Sequence, residues 1–338
     1  MEGKRTLRGI QQMEALISGK NLKAYYVLDF WGSKKIVKAV DNVSLEILPN
    51  EIYGIAGESG CGKSTLLKVL LALLDPPLRL MDGELLYNIE GNLTNVTLLK
   101  SEATRRLRWS FISYIPQGSM HVLNPVKRVR DTFIEILSSH VKKQTKEFLD
   151  LAVQHLKDLG LPERVLNMFP HQLSGGMRQR VTIALATVLK PRVIFADEPT
   201  TALDVVAQRA VMQLIRKIQN DLKNTVVLVT HDMGVHAQIA TRMAIMYAGK
   251  IVEEGPTLEI FKNPLHPYTR YLIQSLPTIG DKKLRTGIPG SPPSLVTPPP
   301  GCRFHPRCPH ASQRCREEEP LLKEINPGHK VACFLVEG

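Results

Sequence analysis

The stretch Gly57-Glu58-Ser59-Gly60-Cys61-Gly62-Lys63-Ser64-Thr65 constrains this chain more than any other part of it. It fits G-x-x-x-x-G-K-[ST]. It follows EIYGIA, which reads as a buried strand, and opens a run from Ser64 to Leu74 that reads as a helix stopped by Asp75-Pro76-Pro77. Strand, glycine turn and helix in that order make a cradle for an anion. Glycines let successive backbone N–H groups curl around phosphate oxygens, and the helix N-terminus adds positive potential. On this reading the loop from Gly57 through Ser59, Gly60, Cys61 and Gly62 to Thr65 holds the phosphates of a nucleotide. Lys63 reaches the β/γ-phosphates, and the Ser64 hydroxyl ligates Mg²⁺.

The rest of the chain supplies the surroundings such a loop needs. Residues 11–55 read as short strands joined by turns. From Glu51 onward strands alternate with helices, which indicates an α/β domain with a largely parallel sheet. The stretch 126–190 is mostly helical and reads as an insertion. Within it, EFLDLAVQHLKDLGL places Leu149, Ala152, Val153 and Leu156 on one face. Pro and Gly crowd residues 277–301, which read as an extended linker.

Two more motifs accompany the loop. Val193-Ile194-Phe195-Ala196-Asp197-Glu198 is an apolar run ending in two carboxylates. A buried strand there delivers Asp197 to the Mg²⁺ shell, and Glu198 can polarise a water. Upstream of it lies Leu173-Ser174-Gly175-Gly176-Met177, a hydroxyl and two glycine N–H groups at a helix start. With these three motifs in this order the chain resembles the ATPases of the ABC family. The resemblance covers roughly residues 14–275. It implies a RecA-like parallel-sheet core with an N-terminal antiparallel β part, an inserted helical subdomain, and ATP as substrate.

It also implies roles for further residues. Ser174, Gly175 and Gly176 would cap the γ-phosphate held by a partner subunit. Gln117, in YIPQ, resembles the glutamine that senses Mg²⁺ and the attacking water. Ala202-Leu203-Asp204 resembles the loop that crosses the dimer interface, and His231 the switch histidine at the γ-phosphate. Tyr26, in the strand from Asn21, would stack on adenine, with Phe30 and Trp31 as alternatives. Lys63, Gln117, Glu198 and His231 would form the catalytic set.

The region beyond the cassette narrows the branch. Asn263-Pro264-Leu265-His266-Pro267-Tyr268-Thr269, then Gly301-Cys302-Arg303-Phe304-His305-Pro306-Arg307-Cys308-Pro309, and Glu58 within the glycine loop resemble the oligopeptide/dipeptide/nickel importer ATPases. The implied division is an ATPase domain over 14–276, the linker, and a Cys-containing module over 302–338. Cys302, Cys308, Cys315 and Cys333 are spaced C-x5-C-x6-C-x17-C. That many soft ligands suit iron–sulfur or zinc. Some members of the branch hold a [4Fe–4S] cluster in such a tail, and this is the expectation here. Zinc and plain packed thiols are the alternatives.

No apolar stretch near the glycine loop approaches the roughly 20 residues of a spanning helix, and MEGKRTLRGI lacks the apolar core of a signal peptide. A peripheral subunit at the cytoplasmic membrane face is expected. Its partners would be two transmembrane permease subunits, a second ATPase chain in a heterodimer, and an extracellular binding protein reached through the complex. The net charge of +12 leaves a second class to weigh, a non-transport ABC ATPase acting on nucleic acid. That class carries coiled-coil insertions or two cassettes. This chain shows neither, so no nucleic-acid partner is expected. An exporter ATPase is the third reading.

Overall fold

The structure is a computed structural model and describes residues 14–30, 32–118, 122–141, 144–201, 203–276 and 287–336. It opens with two long strands, β1 (Ile17–Phe30) and β2 (Ser33–Ile47), where the sequence indicates several short ones. Register shifts along the pair, between Gly19 and Leu22 and again before Ala24 and Tyr26, take up the coiling that long twisted strands require. With β3 assigned to Ile52–Ala56, the next strands are β4 (Leu78–Ile89) and β5 (Asn92–Asn95), and the first sheet runs β2-β1-β4-β5, antiparallel throughout.

The second sheet carries the α/β core. β3 is buried along its whole length. It lies parallel to β8 (Thr225–Val229) on one side and β9 (Arg242–Tyr247) on the other. β7 (Val193–Asp197) and β6 (Ile112–Ile115) continue the parallel run beyond β8. Beyond β9 the sheet turns antiparallel through β10 (Lys250–Pro256), β12 (His329–Val331) and β11 (Lys323–Asn326). Two strands of the cysteine-bearing tail thus extend the central sheet, with β11 as its edge.

α1 (Lys63–Leu70) leaves the end of β3 and stops before the expected Leu74, because Ala72 turns the chain into the left-handed region at φ 52°. After α2 (Ser101–Leu107) come α3 (Val129–His140), α4 (Thr145–Asp158) and α5 (Gly175–Thr187), the helices of the 126–190 stretch. The buried stripe of α4 is Phe148, Ala152 and Leu156, while Leu149 and Val153 sit half-buried on its flank. The phenylalanine wins the core position because it removes the most apolar area from water. α6 (Val205–Leu222) and α7 (Met233–Ile239) follow, then α8 (Thr257–Lys262), α9 (Pro267–Gln274) and α10 (Gln313–Glu317). Among the described residues no helix is long and apolar enough to cross a membrane.

Among the described residues the tail forms no separate apolar cluster. Phe304 is buried in the cassette's third apolar cluster, with its ring 5.2 Å from that of Tyr247 and 5.5 Å from that of Tyr268. The described part of the Pro/Gly-rich segment is docked as well. Leu295 packs on the same cluster, and its carbonyl accepts the Lys38 N–H at 2.9 Å.

Candidate nucleotide site

The glycine loop sits where β3 ends and α1 begins. Its glycines are there for space as well as for dihedral freedom. Gly57 has φ 149°, and a Cβ on it would lie 2.1 Å from the Met246 carbonyl oxygen. Gly62 has φ 107°, and its Cβ would lie 2.0 Å from the Ala39 oxygen. Neither position accepts a side chain unless the backbone of β9 or β2 moves away. Lys63 is buried and curls back, its Nζ donating to the carbonyls of Gly57 (2.7 Å) and Glu58 (2.8 Å). Cys61 is a packed thiol, pushed above its ordinary pKa by burial. Ser59 and Gly60 lie exposed at the loop's outer edge.

β7 runs beside β8 and delivers Asp197 to the loop. The Ser64 Oγ–H donates to Asp197 Oδ1 at 3.2 Å. Burial pushes the Asp197 carboxyl up, and the Glu198 charge adds to this against the bond from Ser64. A buried carboxylate and a hydroxyl meeting at one point form an oxygen donor set that suits Mg²⁺, an ion that takes one or two carboxylates and completes its shell from phosphates and water. The residues therefore fit the ion, whose presence would favour the ionised form of Asp197.

Glu198 lies one residue further, at φ 44°, a left-handed turn fixed by its N–H bonding to the Val229 carbonyl at 2.8 Å. Three donors hold its carboxylate. His231 Nδ1 meets Oε1 at 2.9 Å, Gln117 Nε2 donates to Oε2 at 3.0 Å, and the Thr201 hydroxyl donates to Oε2 at 2.9 Å. Partial burial opposes the charge, but the bonds from His231 and Thr201 outweigh it and hold the carboxyl below its ordinary range. Gln117, Glu198 and His231 come from the ends of β6, β7 and β8, three adjacent parallel strands, which is why residues far apart in sequence converge.

Tyr26 reaches the loop from β1, its hydroxyl 3.2 Å from Thr65 Oγ1 at the start of α1. Trp31 lies outside the described residues, and so does Ala202. Asp204 caps α6, accepting the Ala207 N–H at 2.8 Å. Ser174 caps α5, accepting the Met177 N–H at 3.3 Å, with Gly175 and Gly176 opening the helix beside Ala207. These three sit on a different element from the glycine loop, with Ser174 exposed and the two glycines half-buried. Thr201 was not legible in the sequence. Only its spacing, one turn beyond Glu198, hints that its hydroxyl folds back on the carboxylate.

The iron–sulfur expectation is corrected by the structure. Among the described residues no group of three or more His, Cys, Asp or Glu side chains is arranged to hold a metal ion. Cys302, Cys308, Cys315 and Cys333 are free thiols that line one narrow apolar space beside Phe304 and Phe334. Its volume of about 10 Å³ is at the lower limit for a single water. Burial pushes the Cys302 thiol up to about 12 and raises Cys308 and Cys333 as well. Metal ligation needs thiolates, and burial works against that form at Cys302, Cys308 and Cys333.

Comparison with known proteins agrees with this geometry. The ABC transporter family profile matches residues 40–201, and that of the oligopeptide/dipeptide transporter C-terminal region matches residues 252–315. The dipeptide transport ATP-binding protein DppD of Caldanaerobacter subterraneus is 42% identical, over 96% of this chain and 98% of that protein. The DppD of Haemophilus influenzae is 40% identical, over 94% and 95%. The ATP-binding cassette MJ0796, solved as a post-hydrolysis dimer bound to ADP and Pi, is 31% identical with a TM-score of 0.61, over 71% of this chain and 98% of that one. Fold, glycine loop and acidic strand end together define an ATP-binding cassette. Within that class the chain belongs to the ABC transporter family, as an ATPase subunit carrying the oligopeptide/dipeptide transporter C-terminal region. Such subunits hydrolyse ATP with Mg²⁺ and work with transmembrane permease subunits.

Proposed function

We propose that this chain is the ATPase of a peptide importer, and that the residues around Glu198 are its hydrolytic centre. The cargo reading rests on the C-terminal region and on relatives named for dipeptide and peptide import. Gly57 to Thr65 enclose the ATP phosphates, with Lys63 turning from the loop carbonyls to the β/γ oxygens. Tyr26 lies under the base. Ser64, Asp197 and Gln117 would hold Mg²⁺, which supplies charge neutralisation at the β/γ bridge. Glu198, ionised and held by three donors, accepts a hydrogen bond from the attacking water and takes its proton. His231 fixes the carboxylate and faces the γ-phosphate.

Ser174, Gly175 and Gly176 complete the site of a second ATPase chain, and the partner's equivalents complete this one. The two chains form a heterodimer at the cytoplasmic face of the membrane, docked on two permease subunits that receive peptide from an external binding protein. The observation that carries the reading is the Gln117–Glu198–His231 convergence on three neighbouring strand ends. Glu198→Gln keeps the shape and removes the base. Phosphate release should fall at least ~100-fold while ATP stays bound. Hydrolysis at the parent rate would remove Glu198 from that role.

A further inference from the structure

Arg307 belongs to the tail, 249 residues from the glycine loop, yet it touches that loop directly. Its guanidinium makes a two-point contact with Glu58, Nη1 to Oε2 at 2.7 Å and Nη2 to Oε1 at 3.1 Å. The arginine side chain is only 4% exposed, against 24% for Glu58. The remaining donors are also used. Nε donates to the Pro289 carbonyl at 2.7 Å, and Nη1 also reaches the Tyr247 hydroxyl at 3.3 Å. The backbone of residue 58 is held from the same side, since its N–H donates to the Tyr268 hydroxyl at 2.8 Å. The segment after β10 therefore grips the second residue of the loop by both its side chain and its main chain.

Glu58 is a carboxylate set between Gly57 and Ser59, inside the loop read above as the cradle of a polyanion. Left alone, it would repel the phosphates. Paired with a planar, always-charged guanidinium of matching geometry, it is neutralised and fixed. We infer that Arg307 is a positioning residue for nucleotide binding: the tail supplies the counter-charge that makes a glutamate in the glycine loop compatible with ATP. The inference rests on the loop being the ATP site. It gives the tail a task in the ATPase cycle that needs no metal.

The test is a double-mutant cycle on the full-length chain, read as the dissociation constant of a fluorescent ATP analogue with Mg²⁺. Arg307→Met should weaken binding about tenfold, equivalent to ~1.4 kcal/mol. Glu58→Gln placed in the Arg307→Met background should recover most of that loss, because the uncompensated charge is gone. Parent-like affinity in Arg307→Met overturns the inference. So does a loss that Glu58→Gln leaves in place, which would mean that Arg307 only holds the tail down. If circular dichroism shows Arg307→Met unfolded, Arg307→Lys replaces it. A single ammonium cannot make the two-point contact, so about threefold weakening is expected, again recovered by Glu58→Gln, and undiminished affinity overturns the inference. Lys63→Ala separates the two readings. If it binds the analogue as the parent does, the site assignment itself fails. If it loses binding while Arg307→Met does not, only the role of Arg307 fails.

Discussion

Glu198 is in a strained turn for a reason. A left-handed glutamate costs on the order of 1 kcal/mol, and the cost is met by its N–H bond to Val229 and by three side-chain donors. Of these, Thr201 is the one placed by the same turn. Thr201→Val keeps the shape and deletes one donor to Oε2. We expect kcat to fall several-fold with little change in KM, since the lost bond orients the base and does not touch ATP. Steady-state phosphate release checks this, and a change confined to KM would contradict it. At this scale the sequence was informative where chemistry is written in a motif. Gly57, Lys63, Ser64, Asp197 and Glu198 declare themselves by motif and spacing, while His231 stands out only through the family resemblance. Thr201, Tyr268 and Arg307 do not, because each acts through a contact that exists only once separate strands are side by side. Glu58 is visible in the sequence as a carboxylate within the glycine loop, but nothing local says what neutralises it.

At the scale of elements, strand and helix types were legible from period and turn residues, and lengths less so. The β1–β2 pair outran the turns expected within it because bulges relieve twist without ending a ladder. α1 ended early at Ala72, which carries no sequence mark of a left-handed position. The start of α9 has a further consequence. His266 caps it, its Nδ1 accepting the Tyr268 N–H at 3.0 Å, and the ring is fully buried. Burial pushes His266 down to about 4, and likewise His236 in α7. Unfolded imidazoles take up protons near 6.5. Between those values the unfolded chain therefore binds more protons, and stability falls as pH drops from about 6.5 towards 4. The thermal midpoint should decline across that window. His266→Asn, which keeps a capping acceptor, should flatten the slope, and an unchanged slope would show that His266 already titrates normally.

At the scale of the whole molecule, the tail reads from sequence as an appendage beyond a linker, and its cysteines drew the eye to metal. The structure puts the weight elsewhere. β12 pairs with β10, Phe304 fills the third core cluster, and Arg303 makes a buried ion pair with Asp41 of β2. Composition could not reveal this, because a Cys-rich segment looks the same whether its thiols ligate or pack. A chain ending at residue 300 would bare the edge of β10 and empty the site of Phe304. We expect it to self-associate through that open edge, visible as increased light scattering at a concentration where the full chain is monodisperse. A truncated chain that stays monodisperse would show that β10 needs no cover.

The Glu58–Arg307 contact also bears on how the protein is made. A ribosome releases the glycine loop long before its counter-ion, since 249 residues separate the two. At about 5–20 residues per second the gap is on the order of ten seconds or more. During that interval the nascent cassette carries an unneutralised carboxylate where nucleotide would sit. If Arg307 positions the loop as inferred above, tight ATP binding is deferred until residue 307 has emerged and docked, so a shorter nascent copy is a poor competitor for nucleotide.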